Sequence, residues 1–573
     1  MDNHQIARAL EEIATLLELT DENAFKVRAY HNAARIVESL RGDIGELIER
    51  DELVKMKGIG RALADHIAEI GRTGKLAEYE KMRASVPPDV IQMLLIPGVG
   101  PKKVRYLWKK CGIKSIGELE LLCQRHMLAG EPGFGAKTEE KILAGIGMLR
   151  RFSGSHRLDE ALSAALDVHK GMRRWPEVIR SEIGGSIRRR KEVIHDVDIL
   201  VATEKPEKVM ERFVAMPQVQ QVIQHGGTKS EVMLKSGIQC DLRAVSEEQY
   251  PFALHYFTGS KEHNVDMRGR AKSKGYKLNE YGLFKGAAKK SARCEDEAAL
   301  FRMLGLDFIP PELRENMGET EAAAKHALPK LLETRDLRGV PHVHSNYTDG
   351  EGTIAEMADV ARSLGYKYIV LADHSQAVRI AGGMKPADVR RQHKEIDALN
   401  RKLKGFRVIK GVEVDILADG TLDFDDKILS SFEFVIAAIH SHFGQPEDEM
   451  TQRIIRGISN PFVNVLAHPT GRLLLAREPY AVDLRLVIDA AVKQGVALEI
   501  NSHPQRLDLD WRWCKYAKDK GARMIIDPDA HSADEIQYVE FGVWVARKGW
   551  LEKGDILNCL DADQLLARVN RRK

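Results

Sequence analysis

Along the first 150 residues or so, apolar side chains recur at helical spacing, as in IARALEEIATLLEL and AARIVESL. That period predicts packed amphipathic helices. From about residue 180 the pattern changes to short strand-like runs, DVDILVAT, QVIQHG, EVMLKS and IQCDLRAV, the alternation of a sheet. Residues 252–318 are mixed and basic and end in FIPPELREN. The polar stretch GETEAAAKHALPKLLETRDLRG that follows predicts a helical connector. From 338 onward, β-rich apolar runs alternate with helical patterns, which predicts βα units building a parallel sheet or barrel.

Composition narrows this picture only slightly. A chain of 573 residues exceeds one hydrophobic core and implies several domains. Lys and Arg total 87 against 84 Asp and Glu, so the net charge is only +3. A nucleic-acid surface would have to come from local segregation of charge. Six scattered cysteines without a CxxC support neither a disulfide framework nor a cysteine zinc site. The charged, amphipathic start lacks a signal-peptide apolar region, and no apolar run is long enough to span a bilayer. A reduced, cytoplasmic setting without a membrane is the expectation.

Three glycine turns punctuate the helical region: Gly58/Gly60, Gly98/Gly100 and Gly133/Gly135, each an apolar-x-Gly-apolar-Gly pattern leading into a helix. Glycine permits a tight turn and close backbone approach. The following helix offers free N–H groups to a phosphate. Lys102 and Lys103 sit just after the second turn, within reach of a strand backbone. The turns resemble helix-hairpin-helix motifs, which grip DNA phosphates without reading sequence. The third is the least regular and also reads as an ordinary structural turn.

In GGSIRRRKEVIHDVDILVAT, Asp196 and Asp198 alternate on a strand and project to one face. A third carboxylate, Asp241, lies on another strand-like run, IQCDLRAV. Three such oxygen ligands suit two Mg²⁺ or Mn²⁺ ions, which can activate a 3′-OH and stabilise departing pyrophosphate. Ser186 and Arg189 are placed to hold a triphosphate. Alone, D-x-D also reads as a solvated strand edge.

The combination with ALHYFTGSKEHNVDMRGR resembles the family X DNA polymerases, the gap-filling repair class, over residues 1 to about 318. By that resemblance Asp196, Asp198 and Asp241 are catalytic metal ligands, and Gly185, Ser186, Arg189 and Gly259 belong to the nucleotide site. Tyr256 and Phe257 would line the sugar, Asn264 would face the base, and Arg268 the template. Gly58, Gly60, Gly98, Gly100, Lys102 and Lys103 would bind DNA. Two departures stand out. Arg190 and His195 occupy positions where polymerase beta-like members carry glycine. His66 stands where lyase-proficient members carry a Schiff-base lysine, so a lyase would depend on folding bringing Lys57 or Lys26 close.

The final third holds seven apolar runs, most ending in a metal-ligand residue type: His342, His344, Asp349, His374, Glu413, His440, His468, Asp529 and His531. Ligands at the C-terminal ends of parallel strands are what a (β/α) barrel offers for chemistry. Nine nitrogen and oxygen donors exceed the needs of one ion, so two or three of Mn²⁺, Zn²⁺ or Fe²⁺ are expected. HVH…DG, ADH, GVEVD, AIHSH, AHPTGR and DPDAH resemble the PHP domain (polymerase and histidinol phosphatase) over about 336–573. His442 reads as a proton donor or a structural residue, and Arg472 and Arg506 as phosphate clamps or surface cations.

The expected organisation is multidomain. A lyase-like helical region spans 1–85 and a second hairpin region 86–150. An α+β nucleotidyltransferase palm covers 151–248 and a nucleotide-selection subdomain 249–318. A linker, 319–337, leads to a (β/α)7-like PHP barrel at 338–573. The expected activities are filling of short DNA gaps and metal-dependent 3′→5′ exonuclease or 3′-end processing, with abasic-site cleavage a further option. A small-molecule phosphatase, or a metal-stabilised scaffold, stays open for the PHP unit. The expected partners are gapped or nicked double-stranded DNA and dNTPs, with the protein a monomer, nucleoid-associated when on DNA.

Overall fold

The computed structural model describes residues 3–569 apart from 39, 41–43, 57, 74–75, 77–78, 80–82, 84–85, 97 and 153. Two compact units divide the chain, Met1–Ser153 and Gly154–Lys573. The first unit is helical. Its apolar stripes form two separate cores, one drawing on Ile6, Leu10, Val37 and Ile67, the other on Val90, Val104, Leu119 and Ile146.

In the second unit the predicted change of period appears as sheets. The strands are β1 (His156–Arg157), β2 (Arg180–Ile183), β3 (Val193–Ile194), β4 (Asp196–Ala202), β5 (Val219–His225), β6 (Lys229–Leu234) and β7 (Gln239–Val245). β2, β4, β7, β6 and β5 pair in that order as one mixed sheet, with β4 and β7 parallel. Val197, Ile199 and Val201 on β4 and Cys240 and Leu242 on β7 share one core with helices Leu158–Met172 and Pro206–Val214. The region after this sheet is mixed, as expected, with a hairpin of β8 (Tyr276–Asn279) and β9 (Gly282–Lys285).

Residues 319–337 differ from the expected helical connector. Only Glu319–Ala324 is α-helical. Buried Glu319 accepts from His263 and from the backbone N–H groups of Asn316 and Met317, which fastens the segment to the subdomain before it. Leu332 is buried in the core that follows. A segment that closes buried polar groups and adds to two cores is packed structure, not a free tether.

All seven predicted barrel strands form: β10 (Gly339–Val343), β11 (Tyr368–Leu371), β12 (Arg407–Asp415), β13 (Phe434–Ala438), β14 (Val465–Leu466), β15 (Ala497–Asn501) and β16 (Met524–Asp527). They pair in chain order, all parallel. His344 N–H donating to Ala530 O (2.8 Å) and Ala530 N–H donating to His342 O (3.1 Å) bring the two edges together. Alternation divides each strand. Ile369, Val412, Val435 and Ile526 face the surrounding helices, while Tyr368, Val370, Ile409, Phe434, Ile436, Val465, Ala497 and Ile525 form a second core closed by Leu557 and Leu565. Parallel strands buried on both faces read as continuous apolar runs, which is why the sequence exposed them.

Candidate functional site

The inward positions of the barrel turn from apolar to polar along each strand. On β12 the alternating set runs Ile409, Gly411, Glu413, Asp415, and the last two stand at the C-terminal end. The nine candidate ligands converge on that end. His344, Asp349, His374 and His531 each offer a ligand atom within 4.8 Å of the others, as do His342, His344 and Asp529, and His374, Glu413 and His440. Glu413 is the hub. Its carboxylate lies 2.8 Å from His374 Nδ1, 3.2 Å from His440 Nε2, 3.1 Å from His468 Nε2 and 3.5 Å from His342 Nε2. Among the described residues, buried Nδ1 of His344 and Nδ1 of His468 have no hydrogen-bond partner. Unsatisfied donors and acceptors of this kind, inside a cluster of imidazoles and carboxylates, fit divalent cations. His342, His468 and Asp529 take φ of 53°, 28° and 51°, a backbone cost that non-glycine residues meet where geometry at a site demands it.

The electrostatics match an excess of negative charge. Against burial, which opposes it, Glu413 and Asp349 raise His374 to about 10. Burial likewise opposes the rise of His531 to about 9, which Asp349 and Asp529 drive. Asp529 and Glu413 stay well below the usual carboxylate range despite burial, because histidines surround them. His344 falls to about 3 through burial and the neighbouring His531 and His374. Divalent cations would take up the charge that protons balance here.

Sequence reading missed a supporting layer. Glu499 and Asp527, both fully buried, lie 2.5 and 3.6 Å from His342 Nδ1. Asp415 meets His440 Nδ1 at 3.2 Å. Such carboxylates orient an imidazole so that its other nitrogen points at the centre. Asp373 accepts from Ser345, Thr348 and Gln392 next to His374. The signal was available, since Glu499, Asp527 and Asp415 sit on the inward period of strands already named. Arg472 is corrected from a phosphate clamp: its guanidinium is bonded to Asp510 (2.8 Å) and to the carbonyls of Arg506 (3.0 Å) and Leu507, so it braces loops. Arg506 does reach the centre, with Nε 3.6 Å from Asp529. His442 is exposed.

In the mixed sheet, Asp198 and Asp241 are in register across the parallel β4–β7 pair, and Asp196 lies two residues back on the same face. Burial first, then the charges of Asp196 and Asp241, push Asp198 up to about 7. Gly185 has φ +59°, and a Cβ there would sit 2.0 Å from Asp198 Oδ2, so only glycine lets the turn approach this carboxylate. Ser186 follows in the short helix Gly185–Arg188. Arg189 is corrected. Its guanidinium bonds Thr258 O (2.7 Å) and Glu315 (3.0 Å) and does not face open space. Tyr256 and Phe257 pack edge to face at 5.1 Å. Asn264 donates to Tyr256 O (2.7 Å) and Gly259 O (3.2 Å), which sets the YFTGS turn, and Arg268 is exposed one helical turn on.

The helical unit repeats one turn three times. Gly58, Gly98 and Gly133 have φ of +100°, +81° and +84°. Ile59, Val99 and Phe134 are buried, and each donates its N–H back to Met56, Ile96 and Glu131 respectively. Gly60, Gly100 and Gly135 each accept from the N–H four residues on, at Ala64, Val104 and Glu139. The third copy thus shares the backbone of the other two. Lys102 is exposed, and so is Lys137, its counterpart in the third turn, which aligning the repeats would have found. Lys103 Nζ returns to Gly98 O at 3.3 Å. His66 is hydrogen-bonded through Nδ1 to the Tyr30 hydroxyl at 2.5 Å, Lys26 is half-buried, and Lys57 lies outside the described residues.

All six cysteines are free, and among the described residues no helix is long and apolar enough to cross a membrane. Comparison with known proteins agrees with the geometry. Models of a helix-hairpin-helix domain, a SAM-like helix-hairpin-helix tandem, a DNA polymerase beta thumb and a PHP domain match residues 1–76, 90–147, 253–315 and 341–503. The chain is 37% identical over 573 residues to the DNA polymerase/3′-5′ exonuclease PolX of Bacillus subtilis (strain 168), covering 100% of both chains. It is 32% identical over 139 residues to the repair DNA polymerase X of African swine fever virus (isolate Pig/Kenya/KEN-50/1950), 23% of this chain and 78% of that one. A probable phosphatase of Thermoanaerobacter sp. (strain X514) is 28% identical over 216 residues, 36% of this chain and 83% of its own. The family expected from the YFTGS and PHP motifs is the one found: the chain belongs to the PolX family of DNA polymerases, with helix-hairpin-helix regions, a polymerase beta-type thumb and a PHP domain in one polypeptide.

Proposed function

We propose that residues 1–318 fill short gaps in DNA from dNTPs and that the PHP unit, 338–573, trims 3′ ends of DNA. The observation that carries this reading is the presence of two disjoint ligand sets. Asp196, Asp198 and Asp241 stand beside a glycine turn on β4 and β7, and nine histidines and carboxylates line the barrel. The helical turns would hold the duplex through its phosphates, and Gly185 and Ser186 the triphosphate. Asn264 and Arg268 would face the base and the template. The protein acts as a cytoplasmic monomer that joins the nucleoid on DNA.

Mg²⁺ or Mn²⁺ would fit the polymerase carboxylates and would supply Lewis acidity toward a 3′-OH and charge balance for departing pyrophosphate, and two or three of Mn²⁺, Zn²⁺ or Fe²⁺ would fit the barrel ligands and would supply Lewis acidity toward water and a phosphate ester. The chain's own groups do the rest. Glu499 and Asp415 hold the Nδ1 sides of His342 and His440, which directs their Nε2 atoms inward. Arg506, anchored near Asp529, is placed to meet a phosphate oxygen.

The test uses the full chain on a one-nucleotide gapped duplex and on a 3′-recessed duplex. Asp198→Ala should abolish addition and leave 3′ trimming, and His344→Ala the reverse. Loss of both activities in either variant would sink the two-site reading. Partial similarity to a probable phosphatase favours a second reading for the barrel alone. Hydrolysis of a small phosphomonoester in preference to the 3′-recessed duplex would establish it.

A further inference from the structure

The turn that carries Ser186 is held from outside the polymerase sheet. Lys548, the last residue of the PHP helix Val539–Lys548, has a fully buried side chain. Its Nζ donates to Arg189 O at 3.1 Å and to Glu315 Oε1, the carboxylate that also receives Arg189 Nε. Arg189 in turn donates to Thr258 O of the YFTGS turn. One ammonium thus fixes the point where the glycine turn, the nucleotide-selection subdomain and the PHP unit meet.

Two further contacts act on the same turn. Arg190, at φ 55°, stacks its guanidinium 3.9 Å above the Trp544 ring on that PHP helix. Glu192 accepts from Trp511 Nε1 (3.2 Å) and Arg512 (3.1 Å), both on the PHP helix Trp511–Asp519. Arg189, Arg190 and Glu192 therefore each end on the PHP unit, within seven residues of Gly185. Internal backbone bonds of the turn include Arg188 N–H to Gly184 O (3.1 Å), Arg189 N–H to Gly185 O (3.3 Å), Arg190 N–H to Ile187 O (2.9 Å) and Lys191 N–H to Ser186 O (3.0 Å). Arg188 joins the turn to the thumb at Thr258 Oγ1 and Glu297 (both 2.7 Å), Arg189 joins it at Thr258 O and Glu315, and Lys548 braces the Arg189 end of this set from the PHP side.

We propose that the PHP unit is a positioning element of the polymerase, with Lys548 the residue through which it sets the nucleotide-binding turn Gly184–Glu192 against the YFTGS turn. This rests on the reading that Gly185 and Ser186 hold the incoming triphosphate. Lys548 touches neither substrate. It acts by fixing Arg189 and Glu315, so its removal loosens the turn and weakens dNTP capture more than it slows the chemical step. A buried cation whose partner carboxylate is already shared cannot be replaced by water without moving that carboxylate.

Steady-state insertion on a one-nucleotide gapped duplex tests this with the full chain. Lys548→Met should raise KM for dNTP by about 3- to 30-fold, change kcat much less, and leave 3′ trimming unaltered. Lys548→Arg, which keeps the charge, should recover part of the loss. Trp544→Ala, which removes the ring above Arg190 together with its packing on Phe541 and on the core of the mixed sheet, should raise KM in the same direction and stands in if Lys548→Met does not fold. An unchanged KM in a folded Lys548→Met, or an equal fall in both activities, overturns the proposal. Ser186→Ala separates the two layers. If it raises KM while Lys548→Met does not, the turn binds nucleotide and the PHP unit does not position it. If Ser186→Ala leaves KM unchanged, the nucleotide reading of the turn fails and this inference fails with it.

Discussion

Asp198 and Asp241 stand side by side across the parallel β4–β7 pair, with Gly185 closed against Asp198. Burial and the two neighbouring carboxylates raise Asp198 to about 7. Its folded value lies above its unfolded value near 3.8, so the folded state holds the extra proton, and stability is lost as pH rises from about 4 to 7. In metal-stripped protein at pH 8, Asp198→Asn should therefore melt higher than the native chain while supporting no nucleotide addition. A lower melting temperature would contradict this electrostatic assignment.

The barrel centre also loses stability as pH rises, but over a higher range. His374 and His531 are raised to about 10 and 9. Their contribution is complete below about pH 6.5 and disappears as pH rises through their folded values. Metal-stripped protein should lose thermal stability between pH 7 and 10. His531→Ala should flatten that decline, and added Mn²⁺ should suppress it. Melting curves across this range, with and without the ion, provide the check.

Arg314 is fully buried and paired with Glu297, which Arg314 and Arg188 hold at about 2 despite burial. Arg314→Met leaves that carboxylate without its buried partner and should cost about 3–5 kcal/mol. The double variant with Glu297→Gln should recover much of it. Equal losses in the single and double variants, read by denaturant unfolding, would count against the pair.

Lys102 and Lys137 flank two copies of the same turn and are both exposed. Replacing both with Ala should weaken binding to duplexes of any sequence and lower the slope of log K against log salt by about 2. A sequence-dependent loss with no change in slope would assign them another role.

The barrel was legible in the sequence because parallel strands must be apolar on both faces, and because a histidine ending such a run stands out. Glu499 and Asp527 were not, although their strands were named. Glu499 sits in the middle of β15 and Asp527 ends β16, and the apolar neighbours on either side mask both until the inward alternation is known. The fates of Arg189 and Arg472 were hidden for a different reason. An arginine beside a phosphate motif reads the same whether its guanidinium meets a ligand or a carboxylate, and Glu315 lies 126 residues from Arg189. The sequence also predicted a polar connector at 319–337, because nothing local to Glu319 announces His263 as its buried partner.

Trp511, Trp544 and Lys548 lie on the PHP helices but spend their side chains on Glu192, Arg190 and Glu315. The two chemistries are therefore poor candidates for separation by cutting the chain. A PHP fragment expressed alone would lose the Glu192 acceptor of Trp511, the Arg190 cover of Trp544 and the carboxylate of its buried ammonium. The polymerase fragment would keep Glu315 on Arg189 alone and leave Arg190 without its ring. Domain transplantation from this protein should carry residues 184–192 and 315 along with the barrel.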